Sequence, residues 1–454
     1  MKLSIIGGAG VRTPLFIRGL AGLAPALGLT QVTLMDVQEE KLHLIGALCR
    51  HLLHQAGDPV ALELTTDPRL ALDGADFVVT TMRVGNEAAR ALDERIALDL
   101  GVLGQETTGP GGFAMALRSI PAILEYADLM AEICPRAWLL NFTNPAGLVA
   151  QAIADARPTM RVAGICDTPP TMLRVVSQAL GHPADQLDFT FYGLNHLSWL
   201  AAARYQGEDL LPRLLADDHA LRALPDEPFD PALVRMIGMI PNEYLYYYYY
   251  REQAVANILA AKESRGEQVA RLSAKLLADL RSTDPERHPD QGMAVYHAYL
   301  GTRRGSYMAA ETGGQMDRGA DEEVLAEGNQ GYAGVALAVM GAVQSGNGHK
   351  LILNVPNRGA IPGLDDGDVV EALCEVDGTG AHPLKVGDVP EHALLLMRQV
   401  KRYERLTVAA IARKSRALAI EALLAHPLVG SYSLATALVD RYLSAHATYI
   451  GRWT

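Results

Sequence analysis

Five short apolar runs in the first 185 residues, separated by helix-period segments, leave this chain few folds to choose from. The runs "KLSII", "QVTLMD", "ADFVVTTM", "AWLLNFTN" and "RVAGICD" read as strands buried on both faces. After the first comes "PLFIRGLAGLAPAL", apolar at helical spacing. This alternation predicts an α/β fold, with a Rossmann-like doubly wound parallel sheet over residues 1–185. Ligands of such sheets bind outside the carboxyl ends of the strands, so the residues after each run matter most.

From about Asp188 the pattern changes. "LDFTFYGLNHLSWLAAARYQGEDL" reads as strands with an antiparallel return through "YQGED", and "EHALLLMRQVKRYERLTVAAIARKSRALAIEALLAH" as long helical stretches. Residues 186–454 are expected to form a mixed α+β domain over the mouth of the first. A chain of 454 residues exceeds what one hydrophobic core normally holds, which also favours two domains. The net charge of -12 argues against nucleic acid and against an anionic membrane surface, while leaving room for one basic pocket. No run of about 20 uncharged apolar residues is available to span a bilayer. "MKLSIIGGAG" does not read as a signal peptide. Cys49, Cys134, Cys166 and Cys374 lack disulfide spacing. A cytoplasmic protein is the expectation.

"LSIIGGAGVRTP" puts Gly7, Gly8 and Gly10 between a strand and a helix, where backbone N–H groups can approach a pyrophosphate. The fingerprint is partial, because Thr13 occupies the third glycine position. "QVTLMD" ends in Asp36, a carboxylate placed to bind a ribose diol and to repel a 2′-phosphate. NAD is therefore expected rather than NADP. Gly7, Gly8, Gly10, Val11, Asp36 and Asn141 are the candidate contacts.

Later strand ends carry further candidates. "NFTNPAG" presents Asn141 and Asn144, either of which could equally be a turn residue. "GICDTPP" presents Cys166 and Asp167, and "YGLNHLSW" presents Asn195 and His196. A strand-end cysteine is more often a small buried hydrophobe, and a lone histidine more often a core residue. Together, thiolate and imidazole would make a two-ligand metal site with positions left for substrate oxygens. Arg83 and Arg90 follow another strand and suit an anionic substrate. In "PNEYLYYYYYRE", a helix from near Asn242 would place Tyr244, Tyr247 and Tyr248 on one face and Tyr246, Tyr249 and Tyr250 on another, with Pro241 at its start. Tyrosines at this spacing are usually core.

The segments "GGAGVRTP", "RALDERIALDLGVLGQETTGPGGF", "LNFTNPAG", "GICDTP", "YGLNH" and "PNEYLYYY" resemble glycoside hydrolase family 4, closest to its 6-phospho-glucosidases, over nearly the whole chain. The resemblance implies an enzyme that uses NAD and a divalent metal, typically manganese. It is an exception to the two-carboxylate scheme of glycoside hydrolysis. In that mechanism the sugar is oxidised at C3, deprotonated at C2, loses its aglycone by elimination, gains water and is reduced again. Cys166 and His196 match the metal ligands, Asp167 the general acid of the phospho-α-glucosidases, and Tyr244 the base at C2. A nearby metal and arginine would favour its phenolate. Arg90, Asn144 and Arg265 match substrate positions, with Asn195 beside them and Arg83 added as a phosphate contact. Val11 and Arg12 stand where many members have small hydroxyl residues. "GQETTGPGGF", "SRGEQVARL", "RRGSYMA" and "YERLTV" favour a 6-phospho-β-glucosidase acting on a phosphorylated disaccharide or glucoside, whereas Asp167 also suits the α type. A homodimer or homotetramer is implied. The rivals are an unphosphorylated-glycoside hydrolase, an NAD-dependent 2-hydroxy acid dehydrogenase (since "TNPAG" resembles the lactate/malate dehydrogenase sheet) and a non-catalytic nucleotide sensor.

Overall fold

A computed structural model describes residues 1–224, 228–316 and 332–454. All five predicted strands form, as β1 (Lys2–Ile6), β2 (Gln31–Met35), β4 (Phe77–Thr80), β5 (Trp138–Asn141) and β6 (Val162–Gly164). A sixth, β3 (Ala61–Thr65), has no apolar run because it is a partly exposed edge strand. The six are parallel in the order β3-β2-β1-β4-β5-β6, the dinucleotide-binding arrangement.

The sheet does not stop near residue 185. β6 is joined antiparallel by β11 (His349–Pro356) through Asn354 opposite Gly164, and β11 pairs β12 (Val369–Asp377) along its length. Beyond β12 lie β7 (Asp188–Leu194), β8 (Leu197–Tyr205) and β10 (Ile240–Pro241). The short β9 (Glu208–Asp209) pairs β8, the predicted return, and β13 (Gly380–Pro383) pairs β12. The sequence pattern changes near residue 185, but the sheet is continuous.

Two apolar clusters fill its two sides. The predicted long helical stretch forms helices Glu391–Arg413 and Arg416–Ala425. Lys401 on the first is buried and donates to the Val369 carbonyl at 2.6 Å, to Gln151 Oε1 at 3.3 Å and to Glu404. One ammonium thus ties the C-terminal helices to β12 and to helix Ala146–Ala156.

The tyrosine run is less regular than its spacing predicts. Pro241 belongs to β10 opposite Trp199, so it does not begin the helix. Asn242 Oδ1 accepts from Tyr244 N at 3.0 Å and starts a 3₁₀ turn over Glu243–Leu245. A short helix, Tyr246–Tyr249, ends where Tyr250 leaves helical geometry, and a new helix runs Arg251–Ala260. Tyr246 and Tyr250 stack at 5.0 Å beside Phe229, the first buried in the core and the second half-buried against it.

Candidate active site

A crevice of about 350 Å³ opens at the carboxyl ends of β5 and β6, as this sheet order requires. From the first 185 residues it takes Arg83, Arg90, Asn144, Cys166 and Asp167; from the remainder it takes His196, Tyr244 and Arg265.

His196 sits in the tight β7–β8 turn with a left-handed backbone, φ 61°. Its Nε2 lies 3.7 Å from Cys166 Sγ, and its Nδ1 lies 2.8 Å from Thr107 Oγ1. The Thr107 hydroxyl is spent on Gln105 Oε1 at 3.0 Å, an acceptor fixed by the amides of Thr107 and Thr108. A hydroxyl has one proton, so His196 Nδ1–H must donate to Thr107, leaving the Nε2 lone pair facing the thiol. Burial pushes the imidazole down to about 4 against the pull of Glu106 and Asp167, which keeps it neutral. Burial pushes the Cys166 thiol well up, and Glu371 and Asp167 add to this. Positive charge is what the pair lacks, so the donor set fits a divalent cation. Among the described residues no three His, Cys, Asp or Glu side chains converge on a metal position, so the protein would supply two ligands and leave open positions.

The Tyr244 ring stacks on His196 at 3.7 Å with the planes 2° apart. Tyr307 Oη stands 3.0 Å from Tyr244 Oη and 2.7 Å from Glu243 Oε1. The carboxylate is the stronger acceptor of Tyr307's single proton, so Tyr244 can donate to Tyr307 in turn. Burial and then Glu243 push the Tyr244 phenol well up, and the Tyr307 bond only partly opposes this. The expectation that its surroundings favour a phenolate therefore does not hold for the protein groups alone; a cation at Cys166 and His196 would have to supply that bias. Tyr247 lines the crevice as well, which the sequence did not single out.

Among the described residues, seven arginines line the crevice against four acidic residues, inside a chain of net charge -12. They are not equivalent. Arg83 donates to Glu106 at 2.8 Å and has Glu87 at 3.4 Å, so its guanidinium is neutralised rather than offered to a phosphate. Arg90 is likewise held by Glu94 at 2.9 Å and Glu106 at 2.7 Å. Burial works to raise the Glu106 carboxyl, but Arg90 and Arg83 overcome it and hold it far below the usual range. Arg265 differs: it donates to Gln268 Oε1 (2.5 Å), Ser306 Oγ (2.8 Å) and the Arg303 carbonyl (2.7 Å), all neutral. It is also the first residue of helix Arg265–Thr283, behind a Ser264–Glu267 capping box. A cation at that end opposes the helix dipole, so an anion would find both favourable.

The nucleotide turn adjoins the crevice through Arg12 and Leu15. Gly7 has φ +89°, and a Cβ there would fall 2.8 Å from the Thr81 carbonyl carbon. At the start of helix Thr13–Leu23, Thr13 N–H is spent on the Gly10 carbonyl at 2.9 Å and Pro14 has none, so the helix end offers few N–H groups to a pyrophosphate; Arg12, the residue before it, makes no side-chain cap. Its guanidinium instead pairs with Asp167 at 3.3 Å. Asp36 accepts from the amides of Ala9 (3.1 Å) and Gln38 (3.0 Å) at the edge of the turn.

Three candidates sit elsewhere than their patterns predict. Val11 is buried in the core, its carbonyl taken by Tyr296 Oη at 2.8 Å. Asn141 is wholly buried and ties its own turn, accepting from Thr80 Oγ1 and donating to the carbonyls of Thr143 and Ala146. Asn195 does not line the crevice and donates to Glu371 at 3.1 Å. Asn141 thus serves its own turn, Val11 the core, and Asn195 a carboxylate on β12. The sequence did not single out Glu106 and Tyr307, which line the crevice, or Thr107, which meets His196; they lie in the quoted "GQETTGPGGF" and "RRGSYMA", but which of those residues face inward is not a local property. A dehydrogenase would need a His–Asp pair here, whereas His196 meets Thr107 and Cys166, and the buried His446–Asp93 contact lies among helices outside the crevice.

Comparison with known proteins agrees. Residues 2–182 match the family 4 glycosyl hydrolase description, and residues 191–429 match the family 4 glycosyl hydrolase C-terminal domain. A probable 6-phospho-beta-glucosidase of Bacillus subtilis (strain 168) is 31% identical, over 99% of this chain and 97% of that protein. The 6-phospho-beta-glucosidase structure from Thermotoga maritima with manganese, NAD+ and glucose-6-phosphate has a TM-score of 0.82 at 27% identity, covering 99% of each chain. A 6-phospho-alpha-glucosidase from gut microorganisms, with NAD and Mn2+, has a TM-score of 0.80 at 26% identity, covering 100% of this chain and 99% of that one. The fold extends to a lactate dehydrogenase from Eimeria maxima, TM-score 0.50 at 12% identity, covering 90% of this chain and 95% of that one. With both halves matched and the crevice assembled from each, the chain belongs to glycosyl hydrolase family 4.

Proposed function

We propose that this protein is an NAD- and divalent-metal-dependent 6-phospho-β-glucosidase, cleaving phosphorylated glucosides such as cellobiose 6-phosphate. The observation that carries the reading is the neutral His196 Nε2 facing the Cys166 thiol, with Tyr244 stacked beside them in an arginine-lined crevice. The β assignment is supported by the T. maritima 6-phospho-beta-glucosidase and the probable 6-phospho-beta-glucosidase of B. subtilis. Manganese and NAD come to this chain from the T. maritima enzyme. When bound, NAD supplies a hydride acceptor and the metal a Lewis acid for sugar oxygens.

The chain's own residues do the rest. Cys166 and His196 would hold the metal, and the turn at Gly7, Gly8 and Gly10 the pyrophosphate. Tyr244 takes the C2 proton, with Tyr307 and Glu243 behind its oxygen. Asp167 lines the crevice beside Arg12 and takes the general-acid role at the leaving oxygen, for which it must be protonated when substrate is bound. Arg265 holds the 6-phosphate, because its bonds go to neutral acceptors, while Arg83 and Arg90 keep Glu106 ionised. Asn144 lines the same crevice and would bond a sugar hydroxyl. Nucleotide binding falls to residues 1–185 and proton transfer mainly to residues 186–454. The reading includes a cytoplasmic homodimer or homotetramer; its four cysteines are buried and unpaired, which suits a reducing compartment.

A panel of 4-nitrophenyl α- and β-glucosides, with and without the 6-phosphate, tests it in the presence of NAD, manganese and reductant. The phosphorylated β-glucoside should be cleaved fastest with no net NADH. Preference for the α anomer or for unphosphorylated glucosides would overturn the substrate assignment, and stoichiometric NADH would overturn the reaction.

A further inference from the structure

We infer that Glu371, on β12, is the positioning residue that holds His196 in its metal-binding pose. It is buried, and no step of the proposed reaction uses it. The two residues that bracket the histidine's turn both reach it: Asn195 Nδ2 donates to Oε1 at 3.1 Å and Ser198 Oγ donates to Oε2 at 2.8 Å. Asn354 Nδ2 adds a third bond at 3.3 Å from β11, and Asn242 Nδ2 contacts Ser198 Oγ at 3.3 Å from the start of the tyrosine run. One carboxylate therefore joins the His196 turn to two neighbouring strands and, through Ser198, to the turn that carries Tyr244.

The backbone makes room for this arrangement. Glu371 stands opposite Gly193 in the β7–β12 ladder. A Cβ at Gly193 would fall 2.4 Å from Ser198 Cα, so no side chain fits beneath the turn. His196 has φ 61°, a conformation disfavoured for residues other than glycine, and it persists only where neighbours over-determine it. Thr107 fixes the ring through Nδ1, and Glu371 ties the side chains of Asn195 and Ser198 that flank the histidine. The bonds to Asn195 and Ser198 leave Nε2 directed at Cys166 without rotation of the turn.

This inference rests on the assignment of His196 as a metal ligand. The test is manganese affinity of the full-length protein, read by calorimetry and by the Mn2+ electron paramagnetic resonance spectrum, with NAD affinity measured beside it. Glu371→Ala and, as a milder change, Asn195→Ala should each weaken manganese about 10- to 100-fold, as loss of a group that orients a metal ligand does. NAD affinity should stay unchanged, since the glycine turn lies on other strands. Glu371→Gln keeps an acceptor for Asn195 and should recover most of the loss. If manganese binds Asn195→Ala and a folded Glu371 variant as tightly as wild type, Glu371 does not position His196 and the metal assignment stands. If wild type itself binds no manganese, the metal assignment falls and this inference with it. Parallel loss of NAD and manganese would make Glu371 a fold residue and overturn the inference.

Discussion

Six tyrosines share one stretch of chain, yet their surroundings divide them. Tyr244 lies on His196, Tyr247 on the crevice wall, and Tyr248 near His426, while Tyr246 in the core stacks on the half-buried Tyr250. Removing the phenol oxygen keeps each ring in place, so Tyr→Phe separates chemistry from packing. Tyr244→Phe should lower kcat about 10²- to 10⁴-fold, the usual worth of a general base. Tyr246→Phe and Tyr250→Phe should leave turnover within a few-fold. A larger loss at either of those positions than at Tyr244, in a steady-state assay, would move the base along the run. Residue identity was readable where an unusual pair stood at strand ends, as with Cys166 and His196. It was not readable for Asn141 and Asn195, because a turn tie and a ligand contact use the same side chain.

At the scale of elements, helix Arg416–Ala425 ends on a buried histidine that takes no part in the crevice chemistry. His426 Nδ1 accepts from Leu428 N at 3.1 Å, and its ring meets Tyr403 edge-on at 4.6 Å. Burial pushes it down to about 3, against roughly 6.5 in an unfolded chain. Between those values the unfolded state binds the extra proton, so this contribution is complete above pH ~6.5 and is lost as pH falls toward ~3. His196, at about 4, acts in the same direction. A His426→Gln variant, which keeps an acceptor for Leu428 N, should therefore lose less stability than wild type between pH 6.5 and 4. Urea midpoints across that range decide it; parallel slopes would mean that His426 is already charged in the fold. The strands of the first half were legible because burial on both faces leaves continuous apolar runs. β3 was not, since a half-exposed edge strand carries no such run.

For the whole molecule, the junction between the two halves rests on one buried ammonium as well as on the sheet. Lys401→Ala would leave Glu404 and the Val369 carbonyl unpaired in a site closed to water. Breaking one partner of such a pair costs about 3–5 kcal/mol. Denaturant unfolding should show that loss, and Lys401→Ala combined with Glu404→Gln should lose less than the single change, because no bare charge remains. Equal stability of Lys401→Ala and wild type would show that the ammonium adds nothing to the junction.

The sequence by itself determined the parallel half, the nucleotide turn and the family. Periodicity, glycine turns and short motifs are local, and each is written within a few dozen residues. Only the tertiary structure decided the rest. It neutralised Arg83 and left Arg265 with neutral partners, turned Asn195 away from the crevice, set Tyr244 on His196, and ran one sheet through both halves. Each depends on a partner far along the chain, such as Glu371 for Asn195 or Lys401 for Gln151. A local pattern states what a side chain is able to bond. Which partner it meets is set by strand order and register, where the balance of burial, charge and hydrogen bonding is struck over the whole sheet.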